Sequence, residues 1–327
     1  ETFAAGHSET EAVFEDVPQA LPMDIGFGPA AAQSAEAAFQ CNILEYVDRE
    51  AFANSGHVRR AEELETLSSY AFENADGTNA LYIFKENVKY IAADGRVREK
   101  DLTLRETQAA QAYTTASNDI GLVLPKNAAE GISLSYQGLS AVLTPMAPVS
   151  GGAGSTAEAA AQPMYASKDA VQNEVAYGSV LGTHTVLRFT PTLSGVRGTL
   201  SIAAYTGQNT FYFRLYTNGC SVFLRPEGGF YLAESAEAQK RIHLDSILVC
   251  DAHKRLCAAE ISVAPIREAE EYAVTVSVDK AFLTDSTTAY PLSVYSTLRV
   301  SDADTGGASI QDATVFSGKP TLNTGSW

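Results

Sequence analysis

The sequence predicts a mainly β protein, built as a large antiparallel β-sandwich or as two packed β domains, with one short helix near residues 58–67. Three observations lead there. Apolar and polar residues alternate through Thr210–Thr217 and Glu271–Asp279, which sends alternate side chains to opposite faces of a strand. Turn residues recur at short intervals, at Ser194-Gly195, Thr206-Gly207, Asn218-Gly219 and Glu227-Gly228-Gly229, with no helical pattern between them. The 15 Tyr and 14 Phe far outnumber the single Trp and three Met, and rings suit a pleated, half-buried surface.

Along the chain, residues 1–44 read as an acidic N-terminal arm: positions 1–40 carry seven carboxylates and no Lys or Arg, so they can bury little. Residues 45–146 form a first β region. At its start Val58, Ala61, Leu64 and Leu67 recur every three residues, which predicts a short amphipathic helix whose charged side chains (Arg59, Arg60, Glu62, Glu63, Glu65) are solvated. From Tyr70 the period becomes two. Turns are expected at Asn74-Ala75-Asp76-Gly77 and Asp94-Gly95, and strands at Ile120–Leu124, Ile132–Tyr136 and Leu139–Leu143.

Residues 147–170 are rich in Ala, Gly and Ser without periodicity and read as a linker. Gly151-Gly152-Ala153-Gly154-Ser155-Thr156 lacks the ending of a phosphate-binding loop. Residues 171–301 are the second sandwich region, where Phe211, Phe213 and Leu215 share one face and Tyr212, Arg214 and Tyr216 the other. Residues 302–327 read as a polar junction and the start of a further β module. Asp302 and Asp304 resemble the opening of a calcium loop, but Ala313 stands where a bidentate Glu is needed.

A length of 327 residues suits two or three domains, or one large β domain with appendages. The net charge of −16 repels phosphate backbones and anionic membrane surfaces, so nucleic acid is excluded as a natural partner. Membrane insertion is not expected, because no run approaches the ~20 apolar residues that span a bilayer. The chain begins without Met and lacks the basic and apolar stretches of a signal peptide, so a leader or upstream segment is expected before it.

The cysteines are Cys41, Cys220, Cys250 and Cys257. Apolar alternation on both sides of Cys250 and Cys257 suggests a hairpin that a disulfide between them would staple, contributing about 2 kcal/mol. Free, buried thiols are the alternative. A metal reading with His253 lacks the paired Cys-x-x-Cys spacing. No catalytic motif, metal site or cofactor is expected: Gly-x-Ser-x-Gly and His-Glu-x-x-His are absent, and the five His are scattered. The candidate ligand contacts are Tyr212 and Tyr216, whose rings would stack on sugars if they face solvent. The competing expectation packs them against a second sheet.

Several words in the sequence carry a family resemblance. They are Phe72-Glu73-Asn74-Ala75-Asp76-Gly77-Thr78, Glu86-Asn87-Val88-Lys89-Tyr90-Ile91, Asp94-Gly95-Arg96-Val97, the stretches 195–202 and 205–213, Glu271-Tyr272, and Thr288-Ala289-Tyr290-Pro291-Leu292. In this order they resemble the region preceding the repeats of bacterial wall-associated, YD-repeat (RHS-like) proteins, over about residues 58–300. Val294-Tyr295-Ser296-Thr297 departs from the Ile-Asp-Pro-Thr run that usually ends this region, and residues 310–327 resemble the opening of a following β-sandwich module. The resemblance implies secretion or cell-wall display, and a non-enzymatic role in a larger protein whose activity, often a toxin, lies at its far end. The expected function is a structural or adhesive module whose partner is a cell-wall or host glycan or a protein. The alternatives are a carbohydrate-binding module and a glycoside-processing enzyme whose paired acids meet only in space.

Overall fold

The computed structural model describes residues 57–107, 111–149, 152–156, 161–166, 171–226 and 228–301. The acidic arm, Cys41 and the Asp302–Asp304 junction lie outside the described residues.

The chain opens with a small lobe. Strands β1 (His57–Arg60), β2 (Ser69–Asn74) and β3 (Asn79–Ile83) form a three-stranded antiparallel sheet, and β4 (Lys89–Ile91) pairs with β5 (Val97–Glu99) as a hairpin. The turns between β2 and β3 and between β4 and β5 fall at the expected Asp-Gly pairs, where Gly77 and Gly95 adopt φ of +79° and +77°. Tyr70, Phe72 and Val88 make a separate apolar cluster with Tyr82, Phe84 and Leu193.

The helix expected over 58–67 is not formed. Val58, Arg59 and Arg60 lie in or beside the ladder to β2, and only one 3-10 turn, Glu62–Leu64, follows. An apolar repeat of three is the 3-10 period rather than the α period, and residue Ala61 offers no side-chain cap. Of the four repeat residues only Ala61 is buried; Val58 and Leu64 are exposed.

The sandwich follows. Strands β6 (Asp101–Thr107), β7 (Ala112–Ser117), β8 (Gly121–Pro125), β9 (Ile132–Tyr136) and β10 (Leu139–Val149) run as an antiparallel meander. The expected linker contains β11 (Gly152–Thr156) and β12 (Ala161–Ala166), which pair with β10 and with β13 (Val171–Gly178). Neither the small residues of β11 nor the short run of β12 around Pro163 gives an alternating signal, but ladders are built from backbone N–H and C=O groups that every residue except Pro supplies in full.

Next come β14 (Thr185–Thr192), β15 (Gly195–Ile202), β16 (Thr210–Thr217), β17 (Ser221–Leu224), β18 (Phe230–Ala233) and β19 (Arg241–Leu244). The last strands are β20 (Leu248–Cys250), β21 (Leu256–Arg267), β22 (Glu271–Val278) and β23 (Leu292–Ser301). The single α-helix among the described residues, α1 (Lys280–Thr284), is capped by Asp279, which accepts from the Ala281 N–H at 2.8 Å.

Two antiparallel sheets result. One runs β6-β7-β8-β9-β10-β16-β22-β21, because β16 pairs with both β10 and β22. The other runs β12-β13-β14-β15-β23, and the far edge of β23 is shared by β20 and β19, with β18 and β17 beyond. Strand β21 pairs first with β20 and then with β22, so it turns the corner between the sheets.

Leu104, Leu122 and Leu134 from the first β region pack in one core with Phe211, Tyr272, Val276, Leu298 and others from the second. The two regions therefore complete a single sandwich. Alternation in β22 is as expected: Tyr272, Val274, Val276 and Val278 are all buried. Mainly β architecture follows directly from that pattern.

Candidate functional site

The sequence-selected tyrosines lie on the outer face of β16. Tyr212 stands opposite Met146 and Thr275, Tyr216 opposite Val142 and Glu271, and Arg214 sits between them. Both tyrosines are half-buried, while Phe211 and Leu215 point into the core. They therefore do not pack between the sheets. Arg214 pairs with Glu271 at 3.2 Å, and Arg267 reaches the same carboxylate at 3.1 Å. The Tyr216 hydroxyl, ahead of the Glu271 charge, holds the Arg214 guanidinium above its ordinary pKa. The result is a Tyr–Arg–Tyr stripe on a pleated surface.

Cys250 and Cys257 do form the arms of a hairpin, but they are free thiols. Cys250 is opposite Leu256, and Cys257 is opposite Val249. One register step sends their side chains to opposite faces, so the expected disulfide has no geometry in which to form. Burial raises the pKa of both thiols and of Cys220, which keeps them protonated and weakly nucleophilic. His253 and the cysteines do not converge, and among the described residues no three His, Cys, Asp or Glu side chains group as metal ligands.

The structure creates two clefts that sequence reasoning missed, on either side of the β4–β5 hairpin. The first, about 630 Å³, lies between that hairpin and the edge of the first sheet, and its lining includes Asn87, Tyr90, Arg98, Asn118, Tyr136 and Gln137. Asp119 at its wall is held by Lys100 at 2.7 Å, and Arg98 is held by Asp94 at 2.9 Å. The Tyr90 hydroxyl lies 3.1 Å from Ser117 Oγ, and Gln137 Nε2 donates to the Tyr136 hydroxyl at 2.8 Å. These residues come from three separated turns and strand ends. The only local signal for them was turn composition at Asn118-Asp119 and Gln137-Gly138.

The second cleft, about 470 Å³, is lined by a charged network. Arg60 grips Glu65 through Nε at 2.7 Å and Nη2 at 2.6 Å, and reaches Glu99 at 2.8 Å. Lys89 contacts Glu65 at 2.7 Å and donates to the Ser69 carbonyl at 2.7 Å, while the Tyr70 hydroxyl donates to Glu99 at 2.7 Å. The Tyr70 ring lies under both cations, 5.1 Å from the Arg60 guanidinium and 4.8 Å from Lys89 Nζ. Burial would raise the Glu65 pKa, but hydrogen bonds from Arg60, Lys89 and the Ala71 N–H outweigh it and bring the value to about 2. Burial and the bond to Glu99 push the Tyr70 hydroxyl well above its ordinary range, so it acts as a fixed donor.

No helix among the described residues is long and apolar enough to cross a membrane. Comparison of the chain with protein-family models, with curated proteins and with solved structures finds no match.

Proposed function

We propose that this chain is a non-catalytic structural or adhesive module of a secreted or cell-surface bacterial protein. One observation supports this reading most strongly: four carboxylates are each tied by two or more cationic or N–H donors. Glu65 is clamped by Arg60 and Lys89, Asp245 by Arg225 and Arg299, and Glu271 by Arg214 and Arg267. Asp251 accepts from the N–H groups of His253, Arg255 and Ala289, which bring its pKa below the ordinary value against the opposing effect of burial. A general acid needs a carboxyl poised near working pH, whereas Glu65 and Asp251 are held in the charged form as struts. The strongly acidic composition and the sheet-rich surface fit a soluble display scaffold.

A carbohydrate-binding role is the second reading, favoured by the outward Tyr212–Arg214–Tyr216 stripe and by the polar cleft beside the β4–β5 hairpin. The test is incubation of the chain with bacterial wall fragments, plant and host polysaccharides and peptide libraries, followed by mass analysis of each substrate. The expected result is unchanged substrate, with the chain retained on some of the surfaces. Turnover that disappears on a single substitution would overturn the non-catalytic reading.

A further inference from the structure

We infer that the cleft between the β4–β5 hairpin and the first sheet is a binding site for a neutral oligosaccharide. The inference rests on the non-catalytic reading above and names the ligand class for it.

Size comes first. A cleft of about 630 Å³ is in the range of specific small-ligand sites, roughly 300–1,000 Å³, and accommodates several sugar rings.

Chemistry narrows the class. Asn87, Asn118 and Gln137 line one cavity. Each side-chain amide carries a donor and an acceptor side by side, which complements adjacent hydroxyls on a sugar ring. Tyr90 adds an aromatic body with a polar tip, which suits the mixed C–H and O–H surface of a sugar, while the Tyr136 ring packs in the core. Ile91, 62% exposed, supplies an apolar margin.

Charge then separates neutral ligands from ionic ones. Among the described residues the two charged side chains that line the cleft are both paired, Arg98 with Asp94 and Asp119 with Lys100. The net charge of −16 over the whole chain further disfavours anionic glycans.

The wall is also pre-organised. Ser117 Oγ, which lies 3.1 Å from the Tyr90 hydroxyl, donates to the Glu99 carbonyl at 3.0 Å, and Lys100 ties the hairpin to the sandwich through Asp119 and the Leu193 carbonyl. Groups fixed before binding lose little entropy when the ligand arrives. The outer stripe at Tyr212 and Tyr216 has aromatic rings too, but these lie along a single strand.

The experiment is calorimetric titration of the full chain with uncharged linear tetrasaccharides of glucose and of N-acetylglucosamine. It is repeated for Asn87→Ala, Asn118→Ala and Tyr212→Ala, with circular dichroism to confirm folding. The expected result is saturable binding of at least one sugar, weakened by about tenfold or more in each of the two cleft variants and unchanged in Tyr212→Ala. No binding of any tetrasaccharide by the folded chain, or binding that both cleft variants retain, overturns the inference while the non-catalytic reading stands. Sugar recovered in shortened form, with cleavage lost in the cleft variants, supports the site and overturns the non-catalytic reading.

Discussion

Lys100 Nζ lies 2.7 Å from Asp119 Oδ1, and the same ammonium donates to the Leu193 carbonyl at 2.9 Å. One side chain thus ties the end of the β4–β5 hairpin to two separate loops of the sandwich. The Lys100 side chain is 4% exposed, whereas Asp119 retains 29%, so the pair is shielded on one side only. Ser194 adds a second tie by donating to Glu86 at 2.9 Å.

Replacing Lys100 by Met keeps the aliphatic stem and removes the charge. Asp119 is then left partly solvated and the Leu193 carbonyl loses its donor, so the cost is set near that of a charged hydrogen bond, about 2 kcal/mol. Urea denaturation should show a lower midpoint. Hydrogen exchange should accelerate over residues 88–99 while the buried strand β22 stays protected. An unchanged midpoint would mean that the lobe is held elsewhere.

Acid should weaken the fold in two stages. Burial, followed by the charges of Arg299 and Arg225, lowers the His243 pKa from 6.5 to about 4, with Asp245 opposing and Arg241 reinforcing the shift. Its Nε2 is 2.6 Å from Ser301 Oγ. The folded state keeps the imidazole neutral while the unfolded chain takes up a proton, so stability present above pH 6.5 falls as the pH drops towards 4. Glu65 behaves as a depressed carboxylate: its contribution is present above about 4.5 and is lost as pH falls towards 2. Melting temperature followed against pH should show both limbs. His243→Asn should remove the upper limb and leave the lower one, and persistence of the upper limb in that variant would exclude His243 as its source.

The cysteines predict a clean mass result. Unfolded without reductant and treated with iodoacetamide, the chain should be alkylated at Cys220, Cys250 and Cys257, since all three are thiols. In the native state their raised pKa values should make labelling at neutral pH slow. A cross-linked Cys250–Cys257 peptide would contradict the observed register.

Two glycines give contrasting outcomes. A Cβ at Gly195 would stand 2.1 Å from the Leu298 carbonyl oxygen and 2.8 Å from the Arg299 Cα, both in the neighbouring strand β23. Backbone cannot swing aside as a side chain does, so Gly195→Ala should cost about 3 kcal/mol. Gly178, in β13, has nothing within 4 Å of the same position, and Gly178→Ala should change stability by less than about 0.5 kcal/mol. Equal chemical-denaturation midpoints for the two variants would refute the close β15–β23 approach.

The parts of the fold legible in the sequence were those where one face meets the core. Phe211 and Leu215, and the Tyr272–Val278 series, alternate because antiparallel strands half-exposed to water must do so. The β11 strand was illegible because its small residues mark neither face, and β12, Ala-Gln-Pro-Met-Tyr-Ala, is short and interrupted by Pro163. A period of three at Val58–Leu67 did not distinguish an α-helix from a strand followed by one 3-10 turn. Spacing could place Cys250 and Cys257 in a hairpin, but not decide a register that differs by a single residue. The cleft escaped for a different reason: Tyr90, Asn118 and Gln137 meet only because the small lobe docks on the sandwich.

The most direct measurement is a crystal of the full chain soaked with a tetrasaccharide that binds in solution. The expected result is an intact sugar lying between Tyr90, Asn118 and Gln137, with Lys100 still bridging Asp119 and Leu193. Sugar seated instead along Tyr212 and Tyr216, or a cleft left empty while that outer stripe is occupied, would contradict it.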